Sequence, residues 1–416
     1  MKINAERLLA DIDTLARFTE EETPGWTRRF PSSAYQESRQ WLRRRFEQAG
    51  LTTQIDAAGN LHGRTATSEL PPICAGSHTD TVMGGGRYDG VLGVLGALEA
   101  VRTIQEAGLT LRHPLGVIDF LSEEATDYAI ACMGSLAMCT GDFNPAWLNR
   151  TARNDHGDDV ALADAITVMG GDPARLRQRQ PLTTAGEIAA FLEIHIEQGP
   201  VLEAKGAKLA AVSGIVGIRR AIYNFHGRAN HAGTTTMELR HDALAAAATL
   251  ISTVERIALA HPGTVGTVGK LEVRPNQGNV IPEEVTMMVE MRSLDMAELD
   301  SMWQEFTETV THACAQRGVT YESYNETRMN SVLAPDWLHG IIYGICRQQD
   351  PQTLVIPSGA GHDSNYMSLI APTAMIFVPS VDGRSHTPEE FTAAADLVRG
   401  VQVLAEAIVA IDREME

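Results

Sequence analysis

Two side chains with metal-binding chemistry, His78 and Asp89, stand close together in the run Gly76-Ser77-His78-Thr79-Asp80-Thr81 and, after a glycine-rich turn, Arg87-Tyr88-Asp89-Gly90. The apolar residues Pro72-Ile73-Cys74-Ala75 precede them, so a strand followed by a turn can bring an imidazole and a carboxylate to one cation. The chain repeats the device. Glu123 and Glu124 follow the apolar run 115–121, His195 follows the run 188–194, and His386 lies in Val381-Asp382-Gly383-Arg384-Ser385-His386-Thr387-Pro388. His78, Asp89, Glu124, His195 and His386 supply the nitrogen and oxygen donors expected of zinc, or of manganese or cobalt in a less selective site. Five ligands are too many for one catalytic zinc and suit two ions with a carboxylate between them. Glu123, beside a ligand but able to face a bound water, is the natural general base.

These residues need elements to hold them. Helical spacing of apolar positions predicts helices over 5–18 and 33–48, the second burying Trp41, Leu42 and Phe46. Strands are predicted at 51–55, 60–65, 72–75, 115–121 and 188–194, with a helix from Gly90 to about Ala107. All five candidate ligands then fall at strand ends, the edge of an open α/β sheet where ligands bind. Region 140–185 reads as polar and helical in pieces, with no assignable chemistry. From about Ser213 the order becomes strand 217–227, helix 239–260, strands 264–274 and 284–292, helix 296–317 and strand 319–327. This is a split β-α-β-β-α-β unit. The first pattern resumes near Pro335 with a helix, strands 353–357 and 372–378, and a helix from Pro388 to about Arg413. The expected architecture is an α/β catalytic domain with a mostly parallel sheet (1–213 and 331–416), interrupted by an inserted α+β domain (214–330).

Composition narrows the function. The 416 residues allow two domains, and 44% of them are hydrophobic. With 34 basic against 53 acidic residues and a net charge of −19, the chain is a poor partner for nucleic acid or an anionic membrane. The five cysteines, Cys74, Cys132, Cys139, Cys314 and Cys346, form no Cys-x-x-Cys pair and favour neither a disulfide framework nor a thiolate zinc site. No signal-like start and no stretch of membrane-spanning length are read, so a cytoplasmic protein is expected. The glycines at 90–96 lack the context of a dinucleotide fingerprint, and no Gly-x-Ser-x-Gly elbow is present for a serine hydrolase.

The segments GSHTDT, YDG, SEE, EIHIEQG, NHAGTT, RPNQGNVIP, SGAGHD and SHTPEE, in this order over about 20–400, resemble those of the hydantoinase/carbamoylase family of dinuclear zinc amidohydrolases. Its members include N-carbamoyl-L-amino acid hydrolases, β-ureidopropionases and allantoate amidohydrolases. The resemblance implies a zinc-peptidase-like catalytic domain and a ferredoxin-like insert serving as lid and dimerisation domain. It places His78 and His195 on one metal, Glu124 and His386 on the other, and Asp89 between them. Asp80 would orient the His78 imidazole, and Glu123 would deprotonate the water and protonate the leaving nitrogen. The insert would supply His231 to the oxyanion, from the partner subunit of a homodimer. Asn279 and Arg292 would clamp the substrate carboxylate, with Gln198 and His362 as further substrate contacts.

The implied activity is hydrolysis of an N-carbamoyl, ureido or related linear amide C–N bond next to a carboxylate, on a small anionic substrate, with two divalent metal ions per subunit. Allantoate hydrolysis, or a deacylase or aminopeptidase activity of the same clan, is the alternative; a metal-free scaffold would need neither Glu123 nor the full ligand set. The sequence departs from the family at Ala125-Thr126-Asp127-Tyr128, where Gly-Ser-Arg-Phe is usual, and at Thr236, where proline is usual. Both departures point to a non-standard substrate.

Overall fold

The computed structural model describes residues 1–20, 24–66, 68–125 and 127–415. The chain forms two compact units, Met1–Ser213 with Ala334–Glu416, and Gly214–Leu333.

In the first unit the sheet is mixed, where the sequence pattern had pointed to a mostly parallel one. Its order is Thr52–Ile55, Leu61–Arg64, Leu115–Phe120, Ile73–His78, Ala190–Ile196, Thr373–Val378 and Ala210–Ile215, with Leu354–Ser358 also pairing to Ala210–Ile215. Only the central four strands run parallel to one another. A hairpin, Thr52–Ile55 with Leu61–Arg64, adds antiparallel to Leu115–Phe120 at one side, and Ala210–Ile215 adds antiparallel to Thr373–Val378 at the other. Ala210–Ile215 was not anticipated because a short apolar run without alternation carries no period.

The parallel strands are buried along their whole length, as strands covered on both faces must be. Helix Val91–Glu106 is buried on nearly every side, and its small residues permit that. A Cβ on Gly93 would lie 2.4 Å from the Ser77 Cβ, so the helix backbone rests directly on the strand that ends in His78. Helix Ser33–Gln48 is capped by the Ser32 hydroxyl, which accepts from the Tyr35 N–H, and buries Leu42 and Phe46, with Trp41 only partly covered. The C-terminal helix runs Ala394–Glu414 and starts later than the sequence pattern had placed it. Region 140–185 holds the short helices Leu162–Val168 and Pro173–Leu176 and an unanticipated hairpin, Thr151–Arg153 with Asp159–Ala161.

The second unit is a four-stranded antiparallel sheet in the order Val265–Arg274, Glu284–Ser293, Gly217–His226, Thr320–Met329. Helices Ala243–Ala260 and Met296–Arg317 contribute Leu250, Val254, Trp303 and Phe306 to one core with Tyr223, Phe225, Met287 and Val289 of the strands. Ala243–Ala260 is, by length and composition, apolar enough to cross a membrane, contrary to the expectation that no stretch is. Here its buried stripe of Ala243, Ala246, Ala247, Leu250, Val254 and Ile257 covers the sheet.

Two buried arginines tie the first unit together. Arg28 Nε donates to the Thr79 carbonyl at 2.7 Å, and its backbone N–H donates to the Thr81 hydroxyl at 2.8 Å, so it grips the loop that follows His78. Arg39 Nη1 donates to Asp119 Oδ2 at 2.7 Å, and the guanidinium also donates to the Gly59 carbonyl. Removing one partner of such a pair strands the other charge in the interior. Arg39→Ala is therefore expected to lower the stability of this unit by about 3–5 kcal/mol in urea unfolding. A loss below about 1 kcal/mol, the value of a surface pair, would contradict the reading.

Candidate metal centre

His78 is the last residue of Ile73–His78, and Glu124 follows Leu115–Phe120 after a bend. His195 is next to last in Ala190–Ile196, and His386 lies in the loop after the turn Val381–Gly383. Asp89 differs from the expectation that every candidate sits at a strand end: it lies in the turn that enters helix Val91–Glu106. That turn needs Gly90, whose φ is +65° and where a Cβ would lie 2.4 Å from the His78 Nε2.

Ligand atoms of His78, Asp89 and His195 lie within 4.8 Å of one another, and so do those of Asp89, Glu124 and His386. Asp89 belongs to both groups and divides its oxygens between them. Oδ1 is 3.1 Å from His195 Nε2 and 3.7 Å from His78 Nε2, whereas Oδ2 is 3.2 Å from His386 Nε2. His386 Nε2 is in turn 3.1 Å from Glu124 Oε1. The rings are oriented from behind. His78 Nδ1 meets the Asp80 carbonyl at 3.0 Å and His195 Nδ1 meets the Ile196 carbonyl at 2.9 Å, so both turn Nε2 toward Asp89.

Among the described residues, the ion-pair partners of Asp89, Glu123 and Glu124 are His78, His195 and His386. Hydrogen bonds to Asp89 and Glu124 push the His386 imidazolium up to about 11. Burial alone would lower the His78 pKa, but Asp80, Glu123 and Asp89 outweigh it and hold it well above its ordinary value. The carboxylates thus draw protons onto residues that are ordinarily neutral at pH 7, and a divalent cation satisfies the same demand while releasing those protons. The donor set fits a pair of divalent metal ions.

Glu123 lies beside them, with Oε2 3.9 Å from His78 Nε2 and Oε1 accepting from the Cys132 thiol at 3.1 Å. Burial, reinforced by Glu124 and opposed by His78, pushes its carboxyl up to about 7, a suitable strength for a base working near neutrality. The Asp80 carboxylate does not face the His78 ring as closely as its carbonyl does, at 3.6 Å from Nδ1. Instead it accepts the backbone N–H groups of Glu123 at 3.2 Å and Glu124 at 3.0 Å. Asp80 therefore links the His78 strand to the glutamate pair.

Gln198 Nε2 donates to Asp89 Oδ2 at 2.7 Å, and its Oε1 is buried without a hydrogen-bond partner. His362 is buried behind the centre, its ring 4.6 Å from that of His195 and its Nε2 2.8 Å from Ser358 Oγ. Burial and the neighbouring His195 keep it neutral. Glu193, His195 and His362 also cluster, but both Glu193 oxygens are taken, by Ser77 and Ser364, which makes a hydrogen-bonded wall of that group. His231, Asn279 and Arg292 belong to the second unit. His231 Nδ1 accepts the N–H groups of Gly233 and Thr234, and Ala232 donates to the Asn279 carbonyl at 2.9 Å. Arg292 Nε donates to Glu290 at 2.6 Å.

Among the described residues nine non-glycines have positive φ, and four of them, Ser122, Cys132, Gln198 and His386, line this centre. Such conformations cost about 1–3 kcal/mol each, so their concentration here marks a functional site. Thr126, in the segment that departs from the expected pattern, lies outside the described residues. Asp127, three positions after Glu124, is not a bare acid beside the centre: Arg29 Nη1 donates to it at 2.8 Å.

Residues 66–410 match the model of peptidase family M20/M25/M40. The chain belongs to that family. An N-carbamoyl-L-amino acid amidohydrolase of Geobacillus stearothermophilus is 36% identical over 406 residues, covering 97% of each chain. An allantoate amidohydrolase of Escherichia coli is 33% identical over 397 residues, covering 94% of each. An amidase of the hydantoinase/carbamoylase family from Burkholderia multivorans has a similar structure, with a TM-score of 0.88, 31% identity, and 99% and 98% of the two chains covered.

Sequence reasoning passed over several residues of this M20/M25/M40 centre. Ser385 and Glu390 stand inside the quoted segment SHTPEE, whereas Arg28 and Cys132 stand outside every quoted segment; all four act through hydrogen bonds to groups distant in sequence or outside their own segment, which spacing does not reveal. The Asp80 link gives a direct test. Asp80→Asn keeps an acceptor for one of the two N–H groups but turns an amide donor toward the other, and about a 10- to 100-fold loss of metal affinity or turnover is expected. A variant within twofold of the parent on both would show that the glutamate pair needs no such support.

Proposed function

We propose that this chain is a metal-dependent amidohydrolase that cleaves an N-carbamoyl or ureido C–N bond next to a carboxylate, releasing ammonia and carbon dioxide when the group is carbamoyl. The observation that carries this reading is Asp89, with one oxygen toward His78 and His195, the other toward His386, and Glu123 alongside. The relatives' names support the choice of bond, and the allantoate amidohydrolase keeps allantoate as the second substrate candidate.

Two divalent ions, zinc or alternatively manganese or cobalt, are assigned to His78, His195 and Asp89, and to Asp89, Glu124 and His386. When bound, they supply polarisation of the scissile carbonyl and acidification of a water. Glu123 takes the proton from the attacking water and returns it to the departing nitrogen, which needs a carboxyl that exchanges protons near neutral pH. Asp80 holds Glu123 in place, and Gln198 restrains Asp89.

Roles in substrate recognition follow the resemblance. Arg292 and Asn279 are assigned to the substrate carboxylate, a task that suits a planar guanidinium. Glu290, which also pairs with Arg220, steadies that guanidinium. His231 is assigned to the oxyanion; because its Nδ1 accepts two backbone N–H groups, Nε2 carries the donor proton this role requires. Gln198 and His362 are assigned to the substrate side as well, His362 through the ring it packs on His195. The second unit is proposed as a ferredoxin-like lid and as the dimerisation domain of a cytoplasmic homodimer, to be checked by sedimentation of the active species.

The test is a panel on metal-reconstituted protein: N-carbamoyl-L-amino acids, allantoate, N-acetyl amino acids and dipeptides. Turnover confined to the first two supports the proposal; turnover of only the last two assigns the chain to acyl or peptide bonds instead. Chelation should abolish activity and divalent metal should restore it. Glu123→Gln is expected to lower kcat by about 10²- to 10⁴-fold while two ions still bind, and retention of kcat would remove Glu123 as the base.

A further inference from the structure

Glu390 is none of the five candidate ligands, yet it joins the two segments that carry Asp89 and His386. Its side chain is buried. Oε1 accepts the backbone N–H of Tyr88 at 2.8 Å and that of Asp89 at 3.1 Å. Oε2 is 2.9 Å from the Ser385 hydroxyl, which is itself 2.7 Å from Asp89 Oδ2. One buried side chain therefore sets the backbone of the shared carboxylate and, through Ser385, the residue before His386.

The fold reserves space for this arrangement. A Cβ on Gly86 would lie 2.0 Å from the Glu390 carboxyl carbon. Gly86 is not in the left-handed region, so its own backbone does not demand glycine. The absent side chain is what lets the Glu390 carboxylate reach the turn. Placing a further acid beside the buried Asp89 is unfavourable in itself, and it needs a return beyond ordinary loop packing.

We propose that Glu390 is a positioning residue: seated over Gly86, it locks Asp89 against Ser385 and His386 and thereby sets metal affinity at the shared carboxylate. This rests on the dinuclear reading above. The arrangement does not require a charge. A glutamine at 390 keeps an acceptor for the two N–H groups and offers a donor to the Ser385 oxygen, which can still donate to Asp89.

The experiment is zinc titration of metal-free full-length protein, with bound metal counted by mass spectrometry, together with the visible spectrum of the cobalt-loaded protein. The parent protein, Glu390→Ala, Gly86→Ala and Glu390→Gln are compared. Fewer than two ions in the parent would remove the dinuclear reading itself, whatever the variants do. With two ions in the parent, Glu390→Ala and Gly86→Ala are expected to lose about 10- to 100-fold in affinity for at least one ion, and to share an altered cobalt spectrum. Glu390→Gln is expected to stay within about threefold of the parent, since it keeps the hydrogen bonds that hold the Tyr88–Asp89 backbone and Ser385. Gly86→Ala removes no hydrogen-bonding group, so it gives the answer even if Glu390→Ala fails to fold. Parent-like affinity and spectrum in Gly86→Ala, or a Glu390→Gln as impaired as Glu390→Ala, would overturn the proposal.

Discussion

A single carboxylate that faces two ways organises the first unit. Asp89 directs Oδ1 to His195 and His78 and Oδ2 to His386, with Gln198 and Ser385 also donating to Oδ2. Burial by itself would raise the Asp89 pKa, but His195, His386 and His78 together hold it well below its ordinary value. Such a group is stable in the interior only when positive charge converges on it, which the protein supplies as imidazole and which a pair of metal ions supplies more strongly. The acids around it become intelligible on the same terms: Glu123, Glu124 and Glu390 would repel one another in an ordinary core.

The scaffold is arranged to keep this geometry from relaxing. Parallel strands bring His78 and His195 to one sheet edge, and Gly93 and Gly90 let helix Val91–Glu106 and its entering turn lie directly against them. Arg28 fixes the loop after His78, Asp80 ties that loop to the glutamate pair, and Arg39 anchors Asp119 in the adjoining strand. Positive φ at Ser122, Gln198 and His386 adds backbone strain around the same centre. The result is a set of donors presented from loops but fixed by strands, so that little reorganisation accompanies reaction.

Much of this was legible in the sequence because apolar strands stop abruptly at ligand-type side chains, as at His78 and His195, and because adjacent Glu123 and Glu124 at such a stop demand a cation. The split β-α-β-β-α-β order was legible from period alone. What was not legible has physical causes. Ala210–Ile215 is a short apolar run with no alternation, so the mixed character of the sheet was hidden. The helix expected from Pro388 begins at Ala394 because Glu390 turns inward to the Asp89 backbone, a long-range contact that overrides local propensity. The departure at Asp127 was visible in the sequence, but its partner, Arg29, was not, because it lies 98 residues away. Buried charges such as Arg28 and Glu193 look like surface residues until the fold supplies their partners.

In the proposed dinuclear site Asp89 is shared between two metal ions. Anomalous diffraction from zinc-loaded crystals tests it most directly. The expected map has two peaks per chain on either side of the Asp89 carboxylate, one against His78 and His195 and the other against Glu124 and His386. A single peak, or two peaks that do not share Asp89, would contradict it.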